Sequence, residues 1–427
     1  MTSAPTSSAM PVAMRRRRLT YENVVDAAFA VFMFVGCVEF IEPSPYDLVS
    51  LIAIPLWFLG GFKINAVQVL ISALWLIFLF CGFVALVPYW GEDSARIFQL
   101  LELYLVGTTI AFTLYFGERT LHRSEICLQA FTWGALFSAF LSLLSYFNIA
   151  GLGVKLITVE GRVSGTFKDP NVFGSYLILA QAFLLQKLLL GTSARRILLV
   201  LPLALLLIGT FVSYSRGSWG SSIVCLTMIG VASFFTADNA ATRRRILFTG
   251  FALLALIVLM LVIILSQDSI REFFLWRIGS HDYDEGSTGR FGNQEHALPM
   301  LLDLPWGFGP LRFRDYFGLE PHESYIGAFA NDGWLGGLTW ILIVVLTGVV
   351  GFRLMVVRSP FRRLGQIVWP TLCVALLQGF QIDIDHWRQV YLLFGMVWGF
   401  EAARVRWRNR QRTATPPPRI EARADYG

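Results

Sequence analysis

Leu304-Pro305-Trp306-Gly307-Phe308-Gly309-Pro310 and Pro321-His322-Glu323-Ser324-Tyr325 lie in one stretch, Thr288 to Gly337. The stretch opens with Gly289-Arg290-Phe291 and closes through Asn331-Asp332-Gly333-Trp334-Leu335-Gly336-Gly337. It is dense in Arg, His, carboxylate and Gly, and it interrupts a chain that is otherwise mostly apolar helix. A long water-facing segment between apolar runs fixes the class. Of the 427 residues, 55% are hydrophobic and 15% charged, whereas a soluble domain is nearer half apolar and a quarter charged. Apolar runs of roughly twenty residues recur along the chain, long enough to cross a ~30 Å hydrocarbon layer. The expectation is an all-α, polytopic membrane protein of about twelve transmembrane helices, with its long loop folded as a small helical cap.

The candidate spans are 23–41, 46–60, 65–87, 97–117, 126–149, 170–190, 196–213, 217–236, 245–266, 323–352, 366–383 and 386–403. The second is short and contains Pro55, so a re-entrant segment and eleven spans is the alternative. Charge favours twelve. With the N-terminus inside, 24 of the 35 Lys and Arg residues fall on the inner side, as the positive-inside rule asks, and deleting one span inverts every later loop. This places both termini in the cytoplasm. Residues 1–22 read as a disordered N-terminus, 23–403 as the membrane domain and 404–427 as a basic cytoplasmic tail. Two outer loops, 150–169 and 267–322, exceed turn length. Within the second, Ser280–Gly289 reads as flexible and Asn293–Leu302 as a short amphipathic helix. Arg15 to Arg18 before the first apolar run resembles a signal peptide, but no small-residue cleavage site follows, so the span is read as uncleaved.

The net charge of +6 does not indicate nucleic-acid binding, because the basic residues flank hydrophobic spans. The five cysteines lie in or beside apolar segments with no close pair. They read as buried small side chains and not as a disulfide or a metal site. There is no Walker loop, no nucleophile elbow and no His/Cys/Asp cluster at metal spacing, so neither metal nor cofactor is expected.

Outward-facing cations are the polar residues a bilayer tolerates least. Arg216 lies in Ser213-Tyr214-Ser215-Arg216-Gly217, a minimal turn between two spans, where an Arg is costly unless paired or hydrated. Arg162 and Lys168 face the start of the helix at Pro170-Asn171, where Asp169 stands at the cap position and reads most simply as a plain cap. Free N–H groups at a helix start beside two cations make an anion site. Arg290, Arg312 and Arg314 add to the set. Arg binds phosphate through a two-pronged fork, so the expected ligand is a diphosphate, with anionic lipid headgroups as the alternative. His322 stands at the mouth of a span and can take and return a proton near neutrality. Glu323 orients it or caps the helix that follows. His281 and His296 are weaker candidates, and His386, beside Asp383 and Asp385, reads as a supporting group.

Three motifs together resemble the O-antigen ligase and O-antigen polymerase superfamily of bacterial envelope proteins. They are Arg162-x-x-Gly165-x-Phe167-x-x-Pro170-Asn171, Ser213-x-Ser215-Arg216-Gly217, and the long loop with Arg290, Pro305-x-Gly307-x-Gly309, His322-x-x-Tyr325 and Gly333-x-x-Gly336. The resemblance covers roughly 150–350. Glu323 replaces the family's usual Asn after the loop His, and Asn331-Asp332 fill its acidic position. The resemblance implies metal-independent glycan transfer at the periplasmic face of the inner membrane. The donor would be a glycan on undecaprenyl diphosphate; the acceptor would be lipid A–core in a ligase or another lipid-linked glycan in a polymerase. It implies Arg216, Arg290 and His322 as catalytic residues, with Arg162, Lys168, Asn171, Glu323, Arg312 and Arg314 binding substrate. A transporter for an anionic lipid or solute is the competing expectation. It calls for repeated halves and charges within the membrane, and neither is read from the sequence.

Overall fold

The computed structural model describes residues 20–151, 156–158, 160–279 and 290–414. Its helices are α1 (Tyr21–Val35), α2 (Pro45–Leu59), α3 (Ala66–Leu86), α4 (Asp93–Tyr115), α5 (Thr120–Tyr146), α6 (Pro170–Leu190), α7 (Val200–Val212), α8 (Arg216–Phe235), α9 (Ala240–Leu265), α10 (Asp268–Gly279), α11 (Arg290–Asp303), α12 (Phe313–Phe317), α13 (Ser324–Val356), α14 (Arg362–Gln378) and α15 (Arg388–Ala414). A 3-10 stretch, Ala194–Leu199, leads into α7. Among the described residues the only β-type pairing is an isolated bridge between Ile157 and Val163. The protein is an all-helical, multi-pass membrane protein.

Among the described residues, eight helices are long and apolar enough to cross a bilayer: α3, α4, α5, α6, α7 with its 3-10 lead, α8, α9 and α13. Helices α1 and α2 have 15 residues each and α14 has 17. Helix α15 carries Arg388, Glu401, Arg404 and Arg406 within its length. Each of the twelve expected spans falls on a helix, most with ends moved by a few residues, although α1 ends at Val35 and α15 runs on to Ala414. The starts of α2 and α3 are fixed by reciprocal caps, Ser44 with Asp47 and Asn65 with Gln68, each closing two backbone N–H groups that the first turn leaves open.

Helix α6 is the centre of the bundle, flanked by α5, α7, α8 and α14. It is buried on all sides from Phe173 to Gln186, which fits a helix that is apolar all round. Helix α9 stands at the edge, with only Ile246 and Leu253 buried.

The loops separate to two ends. At one end Glu39 N–H donates to Thr166 C=O at 2.8 Å, Arg388 pairs with Asp47 at 3.0 Å, Lys168 pairs with Glu42, and Arg312 pairs with Glu92. At the other, Asp26 is ringed by Arg119, His122 and Arg123 at 3.1–3.5 Å, Lys187 pairs with Glu125, and Arg353 pairs with Glu401 at 2.5 Å. The first end is the one the sequence assigns to the outside.

Helix α13 is broken at Gly333, where φ is 72° and ψ −172°. The Pro305-to-Gly309 segment docks its backbone into the break. Phe308 and Gly309 N–H donate to Ala330 C=O at 2.7 and 3.1 Å, and Trp334 N–H donates to Pro305 C=O at 2.9 Å. A methyl group on Gly307 would lie 2.6 Å from Ala330 O, and one on Gly333 2.6 Å from Pro305 O. Both positions therefore need glycine for close approach as well as for positive φ. Ala297, Leu301, Phe308, Phe313 and Ala330 form a second small core here, which seats α11 and α12 on the outer end of α13.

Candidate functional site

The turn Ser213-Tyr214-Ser215 presents the first half of the site. Tyr214 is buried with φ 48°, and its hydroxyl meets that of Tyr146 at 3.0 Å. Ser215 caps α8 by accepting from Ser218 N–H at 3.3 Å, which puts Arg216 at the first helical position. Arg162 is buried beneath this turn. Its Nε donates to Ser213 C=O at 3.3 Å and its Nη2 to Asn171 Oδ1 at 2.9 Å. Arg277 of α10 donates from Nε to Tyr214 C=O at 3.3 Å. Burial lowers Arg162 below the ordinary arginine value; Arg277 and Arg216 add to the effect, against Asp169 and Glu160. Three guanidiniums thus crowd one turn, and an anion seated among them would relieve their repulsion.

Below that turn an apolar groove of about 240 Å3 runs between α7, α8 and α9. Phe211, Trp219 and Phe274 form its rim, with Phe211 stacked on Trp219 at 5.6 Å and Phe274 on Trp219 at 5.3 Å. Leu207, Ile223 and Leu261 line its wall.

The second half lies where α13 begins. Ser324 N–H donates to Gly379 C=O at 2.8 Å, and Ile384 N–H donates to Ser324 Oγ at 2.7 Å. These bonds clamp the start of α13 to the loop 379–387. The clamp brings His322, whose φ is 46°, against Asp383: Nδ1 and Oδ2 are 3.4 Å apart. Burial raises the Asp383 carboxyl, partly offset by its hydrogen bond with His322. Glu323 does not face His322 as a partner. It caps α13, accepting from Tyr325 N–H at 3.2 Å and Ile326 N–H at 2.5 Å, while burial pushes its carboxyl up to about 7.

One dipeptide joins the halves. Gln378 Oε1 accepts from Ser175 Oγ at 2.9 Å, and a methyl group on Gly217 would lie 3.2 Å from Gln378 Nε2. The next residue, Gly379, holds Ser324. The guanidinium group and the His322–Asp383 pair therefore flank the end of α14.

Several expected residues are placed elsewhere. Lys168 is half exposed and pairs with Glu42. Arg312 pairs with Glu92 and Asp315 and lies 4.6 Å over the Tyr89 ring. Arg314 faces Glu320 at 3.6 Å. None of the three joins Arg162 and Arg216. Asp169 caps α6, accepting from Asn171 N–H at 2.5 Å, so that helix start is already served by a carboxylate. His296 is exposed on α11. His281 and the side chain of Arg290 lie outside the described residues. No group of three or more His, Cys, Asp or Glu among the described residues is arranged to hold a metal ion.

Arg277 was not anticipated. Its signal is the one that singled out Arg216, a cation on the outer side near an apolar segment. The expectation of no charge inside the bundle is also corrected. Glu102 of α4 and Asp332 of α13 are buried, each more than two turns below its helix start, and face Asp385 and His386 of the 379–387 loop. Burial lowers His386, but Asp385, at 3.3 Å, and Glu102 outweigh it and leave His386 raised. A carboxylate in an apolar run is a functional signal by default, and Glu102 was legible as one.

No protein-family model matches the chain, and no curated protein does.

Proposed function

We propose that the protein transfers a glycan from a polyprenyl diphosphate to a sugar hydroxyl at the outer face of the bacterial inner membrane, as an O-antigen ligase acting on lipid A–core. The observation that carries this reading is the placing of a guanidinium cluster and a His–Asp pair on either side of the end of α14. An apolar groove runs below the same guanidinium turn, lined by Phe211 and Trp219. The polyprenyl tail would lie in the groove. Arg162, Arg216 and Arg277 would hold the diphosphate and take up the charge that develops as the glycosidic bond breaks. His322, oriented by Asp383, would accept the proton of the attacking hydroxyl. In this reading α1, α2, α14 and α15 also cross the membrane, giving twelve spans and two cytoplasmic termini. A polymerase of the same superfamily would use the same site with a second lipid-linked glycan as acceptor.

The test is transfer by the purified full-length chain in lipid vesicles, from a polyprenyl-diphosphate glycan to lipid A–core. Transfer that falls about 100-fold or more in Arg216→Ala and His322→Ala supports the reading. A ladder of products without lipid A–core identifies a polymerase. One observation favours transport instead, the acidic group of buried Glu102 and Asp332 with part-exposed Asp385. Vesicles that show no transfer with either acceptor but accumulate an anionic solute against a proton gradient would replace the enzymatic reading.

A further inference from the structure

Gln99, Glu102 and Asp332 lie where α3, α4 and α13 meet, and they are 0%, 5% and 6% exposed. Gly82 of α3 makes the space. A methyl group there would lie 2.5 Å from Gln99 Nε2, 2.7 Å from Gln99 Oε1 and 2.7 Å from Asp332 Oδ1. Gln99 Nε2 donates to Glu102 Oε2. Gln99 Oε1 and Asp332 Oδ1 both have no hydrogen-bond partner among the described residues. Glu102, Asn331, Asp332 and Asp385 line a cavity of about 20 Å3 at this place, room for about one water.

The amide counts protons. A glutamine set between two carboxyl groups offers N–H to one and C=O to the other. Gln99 Oε1 and Asp332 Oδ1 both border the Gly82 Cβ position, and a direct bond between them needs a hydrogen on the carboxyl. Turning the amide over exchanges the two acids but leaves the count at one. Charge also calls for a proton here. Facing the pair are Asp385 and His386 from the 379–387 loop, Tyr391 from α15 and Cys81 from α3. With Glu102 and Asp332 both ionised, two buried negative charges would lie together, beside the part-exposed Asp385 and His386. One proton removes most of that cost.

We propose that Glu102, Gln99 and Asp332 form a buried proton-binding site, which holds one proton on Asp332 at neutral and mildly alkaline pH and fastens α4 to α13 just before the break at Gly333. Loss of the proton sets two carboxylates against each other and loosens that junction under the His322 loop. Asp385, which lines the cavity, and His386 beside it are part-exposed titratable groups facing the pair. The site does not depend on glycan transfer, and its test uses no substrate.

The experiment is infrared spectroscopy of the purified full-length chain in lipid. The carbonyl stretch of a protonated carboxylic acid, shifted by heavy water, is recorded about two pH units above the value near 7 at which Glu320 and Glu323 ionise. The wild type is expected to show this band, Glu102→Gln to keep it and Asp332→Asn to lose it. The amide that Asp332→Asn introduces would supply an N–H to Gln99 Oε1, so the thermal midpoint of that variant is expected at or above the wild-type value at this pH. Gln99→Leu removes the acceptor and is expected to move the band to higher frequency. A wild type without the band, a band undiminished in Asp332→Asn, or a band unmoved in Gln99→Leu would each overturn the proposal, the last even where Asp332→Asn fails to accumulate.

Discussion

His322 Nδ1 lies 3.4 Å from Asp383 Oδ2 across the junction between the start of α13 and the loop that follows α14. The two residues are far apart in the chain, and the Ser324 clamp fixes their approach. If His322 is the base, Asp383 holds its ring and raises its basicity. His322→Ala is expected to lower kcat by about 100- to 10,000-fold. Asp383→Asn keeps the shape and removes the negative charge, so the ascending limb of the kcat/KM–pH profile should move to lower pH. A profile that stays in place, with activity lost all the same, would assign Asp383 a purely structural role.

The guanidiniums divide into two groups by what they already hold. Arg162 donates to a backbone carbonyl and to Asn171, and it pairs with the exposed Glu160 only at 3.9 Å. Arg312 and Arg314 are engaged by Glu92, Asp315 and Glu320. Arg162→Lys is therefore expected to weaken donor binding by about 10-fold or more, since an ammonium cannot reproduce the fork. Arg314→Lys should change it less than about 3-fold, because its charge is already met by Glu320. Measured KM values for the donor in the two variants check the division.

The docking of residues 305–309 into the α13 break makes Gly333 and Gly307 the backbone keys of the junction between that segment and α13. Gly333→Ala must take up a positive φ and meet Pro305 O at 2.6 Å. A cost of about 2 kcal/mol or more is expected. Limited proteolysis should then cut the 304–322 segment faster in the variant. Gly318→Ala, at φ 76° with nothing near its Cβ position, should show the smaller cost of strain alone.

The membrane helices were legible because their signals are local. The Asp169-Pro170 start placed α6 at 170–190, which is its span, and apolar length placed most of the rest within a few residues, while the basic continuation of α15 to Ala414 carries no apolar signal. The break at Gly333 was not legible, since it depends on a segment more than twenty residues away filling it. Arg162, Asn171 and Arg216 come together because each sits beside a helix start on the outer end. Lys168, Arg312 and Arg314 looked equivalent in the sequence and differ only in their tertiary neighbours, Glu42, Glu92 and Glu320. Glu323 was read as either a partner for His322 or a cap, and its two accepted N–H groups make it the cap.

The groove between α7, α8 and α9 offers a separate test of the polyprenyl reading. Leu261 lines its wall on the peripheral α9, so Leu261→Trp fills the groove with little cost to the core. Donors with long isoprenoid tails should lose about 10-fold in KM, the worth of roughly two buried methylenes, while a short-chain analogue should be unaffected. Equal losses for both would place the tail elsewhere.

Stability against pH tests the carboxyl groups around the His322 loop. Burial pushes Glu320 and Glu323 from 4.5 up to about 7. Between those values the folded chain holds protons that the unfolded chain has released. The folded state is therefore favoured on the acid side, and this contribution is lost as pH rises from about 4.5 through 7, after which it is flat. Glu320→Gln, which cannot titrate, should flatten part of that decline in thermal midpoint while leaving the cap of α13 intact. Glu323→Gln should flatten it as well, and Glu323→Ala should in addition cost about 1 kcal/mol for the lost cap. A midpoint that climbs across this range in the wild type, or a slope that neither glutamine variant changes, would mean these carboxyls are ionised in the folded protein and the loop is more open to water than its burial implies.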